Sequence, residues 1–66
     1  MDKMIGKKFK ITGMVIEIVS DDGESWETRN ITTSETVFIN KLILQNAIKL
    51  GKAEEISELD DEEYNV

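Results

Sequence analysis

Three groupings of side chains in this 66-residue chain have types and spacings that suggest chemistry. Lys3, Lys7, Lys8 and Lys10 fall within eight residues. Asp21-Asp22-Gly23-Glu24 places three carboxylates around one glycine. Trp26 and Arg29, the sole Trp and the sole Arg, stand three positions apart. Lysines beside an aromatic and a guanidinium make the kind of strip that follows a phosphate backbone and stacks its bases. Trp and Arg are also the residue types that dominate the energetics of protein interfaces. The carboxylates offer oxygen ligands, but a calcium loop of the EF-hand type needs twelve residues closed by a bidentate Glu, and that spacing is absent. A solvated turn is the expectation there, with no metal site.

The residues that are missing narrow the chemistry further. The chain has no Cys and no His. Thiolate metal sites, disulfides and nucleophilic cysteine are thereby excluded, as are the commonest general acid–base and the commonest zinc ligand. No phosphate-cradling glycine loop, nucleophile elbow or dinucleotide pattern is present. The expectation is a non-catalytic protein that needs no cofactor. Lack of Cys fits the cytoplasm, and no basic start leads into a long apolar run. The nearly apolar runs Met14–Val19 and Leu42–Leu44 are far too short to span a bilayer, so no membrane role is expected.

The net charge of −6 is unevenly placed. Residues 53–66 hold seven acids and no base, whereas residues 1–52 set seven acids against eight bases. The body is nearly neutral and the tail carries the excess, which argues against an acidic fold imitating DNA. Residues 60–66 form a like-charge block without core residues and are expected to be disordered. Residues 1–59 are expected to make a single small domain, close to the lower size limit for unaided folding. With no disulfide to brace it, a second copy or a partner is one source of extra burial.

The elements that must carry these groups follow from hydrophobic period. From Lys7 to Val19 apolar residues alternate, but the phase changes at Gly13, from Phe9 and Ile11 to Met14, Ile16 and Ile18. A bend at Gly13 within one strand is expected to account for the change. Ser20 to Glu24 reads as a hairpin loop with Gly23 left-handed. The second strand covers about Ser25 to Ile31, Thr32-Thr33-Ser34 turns the chain, and Glu35 to Ile39 is the third strand. On the second strand Trp26, Thr28 and Asn30 share one face, with Glu27, Arg29 and Ile31 on the other. Trp26 is thus either a core residue or, at the rim beside Arg29, half of a recognition pair.

After Asn40 the period lengthens to that of a helix, Lys41–Leu50, with Asn40 as N-cap and Gly51 just past the end. Ile43, Leu44, Ala47, Ile48 and Leu50 fall on one face for packing on the sheet. Leu42 falls among Gln45, Asn46 and Lys49 and is a candidate partner contact. Residues 52–59 read equally as helix or edge strand.

Trp26, Ile31-Thr32-Thr33, Glu35-Thr36 and Ile39 together resemble the stretch of an SH3 domain running from its binding Trp through the distal hairpin. The resemblance implies a small-barrel topology. Asn40 stands where that family's ligand-groove Pro would sit, and no second aromatic flanks Trp26. The expected fold is α+β: a small bent antiparallel β-meander, closed by the segment of Ile56 into an SH3-like half-barrel and covered by one α-helix. The expected function is a non-catalytic intracellular protein-interaction or regulatory module. It would act through a protein partner or as a homodimer, using Trp26, Arg29 and Leu42. The alternative is a small nucleic-acid-binding protein using Lys3, Lys7, Lys8 and Lys10 with Trp26 and Arg29.

Overall fold

In the computed structural model, which describes residues 3–56, a two-residue turn at Thr12–Gly13 divides the first alternating run into two strands, β1 (Lys8–Ile11) and β2 (Met14–Asp22). Both turn residues have positive φ, 44° at Thr12 and 81° at Gly13, the signs of the tight hairpin turn that matches strand twist. This corrects the expected bend within a single strand. Ile11 faces Met14 and Phe9 faces Ile16, so crossing the turn exchanges odd for even positions without changing face. The phase change in the sequence marks a reversal of the chain.

A true irregularity lies further along. The pairing of β2 with β3 (Ser25–Asn30) runs Ile18 to Thr28 and then Ser20 to Glu27, leaving Val19 as the extra residue of a bulge. Beyond it Asp21 faces Trp26, so an odd position now takes the inner face. Gly23, with φ of 72°, opens the two-residue turn between Asp22 and Ser25. Asn30 organises the next turn: its Oδ1 accepts from the Thr32 and Thr33 N–H groups at 2.9 and 3.1 Å. The chain then returns as β4 (Thr36–Asn40).

Helix α1 (Lys41–Lys49) begins where the period predicts. Asn40 Oδ1 accepts from the Leu42 and Ile43 N–H groups at 2.9 and 3.3 Å. At the other end the Gly51 N–H donates to Ile48 O and the Lys52 N–H to Ala47 O, with Gly51 at φ 77°. That paired closure is the Schellman arrangement, and glycine supplies the positive φ that it requires. Residues 52–59, readable as helix or strand, contain β5 (Ala53–Ile56), which pairs antiparallel with β1. The expected tail, residues 60–66, lies outside the described residues.

The result is one five-stranded antiparallel sheet in the order β4-β3-β2-β1-β5, with one helix. The last strand joins the sheet beside the first, at the edge opposite β4. The helix nevertheless touches both edge strands. It follows directly on β4 and leads through Leu50, Gly51 and Lys52 into β5, and Leu44 packs on the inner face of the sheet. There Phe9, Ile16, Ile18, Trp26, Leu44 and Ala53 form the core, with Met4, Ile11, Met14, Ile39, Ala47 and Ile48 at its margin. Each large core side chain contributes roughly 1.5–3 kcal/mol over its exposed state. Thr28, the one buried polar residue among those described, donates its hydroxyl to Val37 O at 2.7 Å. The N-terminal residues are tied in as well: the Gly6 N–H donates to Ile18 O and the Ile18 N–H to Lys7 O.

Candidate interaction surface

Alternation along β3 decides the placement of Trp26 and Arg29. Trp26 and Thr28 point inward, whereas Glu27 and Arg29 point outward, so the two candidate contact residues lie on opposite faces of the sheet. Trp26 is 2% exposed and belongs to the core. Lys41 Nζ sits 5.6 Å from the centre of its ring and bonds Asp21 Oδ1 at 2.8 Å. This contact joins the start of the helix to the end of β2. The acidic loop is partly committed to structure, because Asp21 Oδ1 also accepts from the Gly23 N–H at 3.0 Å. Among the described residues no three acidic side chains gather closely enough to hold a metal ion.

The lysines are interleaved with acids. One register line crosses all five strands through Ile56, Lys8, Glu17, Arg29 and Thr36, which gives alternating charge at its centre. Lys10 faces Glu54 on β5, and Lys7 Nζ lies 3.5 Å from Glu55 Oε1. Lys3 is exposed. The outer face therefore carries a mixed-sign ladder, where opposite charges facing each other across strands are mutually stabilising. Such exposed pairs are individually weak.

The conspicuous exposed groups are apolar. Leu42 is 69% exposed, as its misfit on the helix anticipated. Ile43 and Leu50 were expected to pack on the sheet, yet they are 65% and 68% exposed. Their positions explain the difference. The apolar arc of the helix is broad, and contact is centred on Leu44, with Ala47 and Ile48 partly buried beside it. Ile43 and Leu50, seven residues apart, share the shoulder that the sheet does not cover. Phe38 is 58% exposed on the outer face of β4, opposite Val37 and Ile39 by alternation. Sequence reasoning gave this strand bounds only and assigned no face to Phe38. The usable signal was that only one parity of that strand can face the core.

Four large apolar side chains within residues 38–50 thus face solvent on two surfaces, the outer face of β4 and the free shoulder of α1. No described helix is long and apolar enough to cross a membrane. No protein-family model, curated protein or solved structure matches this chain.

Proposed function

We propose that the protein is a non-catalytic, cytoplasmic interaction module, regulatory in character, built as an SH3-like half-barrel and acting through a protein partner or a second copy of itself. The observation that carries this reading is the exposure of Phe38, Leu42, Ile43 and Leu50 in a domain so small. Scattered apolar residues on a surface need no explanation, but four that are each more than half exposed within residues 38–50 offer a partner apolar area on the outer face of β4 and on the helix. Full burial of each is worth roughly 1.5–3 kcal/mol, enough together to hold a complex after the cost of association. Leu42 keeps its place as a contact residue. Arg29, exposed on the outer face, is a polar neighbour for a partner, and Trp26 supports the surface from beneath.

Nucleic-acid binding through Lys3, Lys7, Lys8 and Lys10 is the second reading, favoured by the line that sets Lys8 and Arg29 on one face with a single acid between them. One comparison separates the two. Immobilised wild-type protein is set beside an Ile43→Glu/Leu50→Glu variant and a Lys8→Glu/Lys10→Glu variant, and retained protein and nucleic acid are quantified over a salt series. The interaction-module reading expects protein retention that the helix variant abolishes and the lysine variant preserves. Retention of nucleic acid that falls steeply with salt and disappears in the lysine variant would replace it.

A further inference from the structure

The two edges of the sheet are protected unequally. On β5 the edge sequence is Ala-Glu-Glu-Ile, whose adjacent acids repel another strand of like charge. On β4 it is Thr-Val-Phe-Ile-Asn, with no charge, no proline and no bulge. The direction of its free backbone groups follows from two hydrogen bonds at its ends. The Lys41 N–H donates to Glu24 O, and Glu35 O accepts from the Asn30 N–H. Positions 35 and 41 therefore point toward β3, and by alternation so do 37 and 39. The N–H and C=O groups of Thr36 and Phe38 and the N–H of Asn40 point away from the sheet, whereas the Asn40 C=O, at the N-cap, begins the hydrogen bonds of α1. Among the described residues no backbone hydrogen bond between elements reaches the outward groups.

We propose that this edge is a self-association site, at which β4 of a second copy pairs antiparallel across a two-fold axis through Phe38 and joins two sheets into one. The inference rests on the interaction-module reading and names the occupant of one of its surfaces. Self-pairing is favoured over an unrelated strand because β4 is complementary to itself. With Phe38 facing its copy, Thr36 faces Asn40 of the second chain, and about four backbone hydrogen bonds form, two between the Phe38 residues and one from each Asn40 N–H to the facing Thr36 C=O. No like charges meet. The acid and the base that flank the strand, Glu35 and Lys41, fall at opposing ends, each near the other's counterpart. The first turn of α1 contains no acidic residue, so Glu35 of the second copy also brings negative charge toward a positive helix end. The two Phe38 rings lie side by side on the outer face, which turns a 58% exposed aromatic into a covered one.

The test uses the full chain. Sedimentation equilibrium over a concentration series is expected to show a monomer–dimer equilibrium. Phe38→Lys, an edge lysine of the type that blocks strand pairing, is expected to raise the dissociation constant at least about 30-fold with unchanged melting of the monomer. Amide exchange on the wild type provides a reading that does not depend on the variant folding. The Phe38 and Asn40 amides should slow as concentration rises, while those of Leu50 and Lys52 should not. A chain that stays monomeric with fast, concentration-independent exchange at Phe38 overturns the inference. So does a dimer that Phe38→Lys leaves intact. A dimer abolished by Ile43→Glu/Leu50→Glu but not by Phe38→Lys overturns it too, while leaving the interaction-module reading in place. Protection at Phe38 that arises only on adding an extended peptide from another protein would assign the edge to a foreign strand and likewise overturn it.

Discussion

Replacing Trp26 with alanine tests whether this residue supports the core or reaches out of it. The side chain is 2% exposed and sits among Phe9, Ile16, Ile18 and Leu44. A buried Trp covers about 150–250 Å², which at about 25 cal/mol per Å² corresponds to roughly 4–6 kcal/mol of transfer free energy. Alanine retains a little of that, so the expected loss is about 3–5 kcal/mol. At about 0.05–0.15 kcal/mol per residue, a chain of 66 residues has a total stability of roughly 3–10 kcal/mol. Trp26→Ala should therefore remove about a third or more of the total stability, and at the lower end of that range it leaves a large unfolded fraction at 25 °C. Trp26→Phe keeps one ring and gives up about 50 Å², so it should lose only about 1–2 kcal/mol and remain folded. Part of that loss is the weaker face offered to the Lys41 ammonium. Because the variants lack the only Trp, their unfolding is followed by far-ultraviolet circular dichroism in urea. In the wild type, Trp26 emission should be blue-shifted and shielded from iodide. An emission maximum typical of water, free quenching, and an alanine variant that unfolds with the wild type would together refute the core placement.

Three further substitutions test the first turn and the helix cap. Thr12→Asn supplies the residue that favours positive φ before glycine and should raise stability by about 0.5–1 kcal/mol, whereas Gly13→Val should lower it by more than about 1 kcal/mol. Equal melting of both variants and wild type would show that this turn does not have the conformation described. Asn40→Ala should cost about 0.5–2 kcal/mol and accelerate amide exchange at Leu42 and Ile43; unchanged exchange at those two positions would argue against the cap.

The helix was the most legible element, because both of its ends carry their chemistry in the residue types: Asn40 at the start and Gly51 after the end. The strands around Trp26 were legible within about a residue, but the loop expected over Ser20 to Glu24 is only a two-residue turn at Gly23 and Glu24, because Ser20, Asp21 and Asp22 pair with β3 as the end of β2. The Thr12–Gly13 turn was missed because a β-branched residue is an unusual occupant of a positive-φ position. Without that turn the first two strands read as one, and with residues 52–59 left open between helix and strand, five strands read as three. The bulge at Val19 leaves no mark in an alternation that Glu17 already interrupts. Burial on the helix was misjudged at Ile43 and Leu50 because periodicity gives the direction of an apolar arc, while its covered width depends on how much of the arc the sheet meets, here the part around Leu44, Ala47 and Ile48. The pairing partners of Lys7, Lys8 and Lys10 were likewise hidden, since they lie on a strand that joins the sheet from the far end of the chain.

That late-joining strand has a consequence for how the molecule is made. The pairs β1–β2, β2–β3 and β3–β4 are each closed by a short turn, so they can assemble as the chain emerges from the ribosome. The outer edge of β1 has no such local partner. Lys8 meets Ile56 and Ile11 meets Ala53, so this edge stays open until nearly all of the described chain has been synthesised. Closing so long a loop is entropically slow, although the capped helix shortens the free chain that must be searched. Until then Phe9 and Leu44 lack Ala53, and the nascent protein presents two unpaired strand edges where the finished one presents an acid-guarded edge and β4. Translation speed through residues 41–56, and any chaperone that holds the first strand meanwhile, would thus act on the step that commits this chain to its fold.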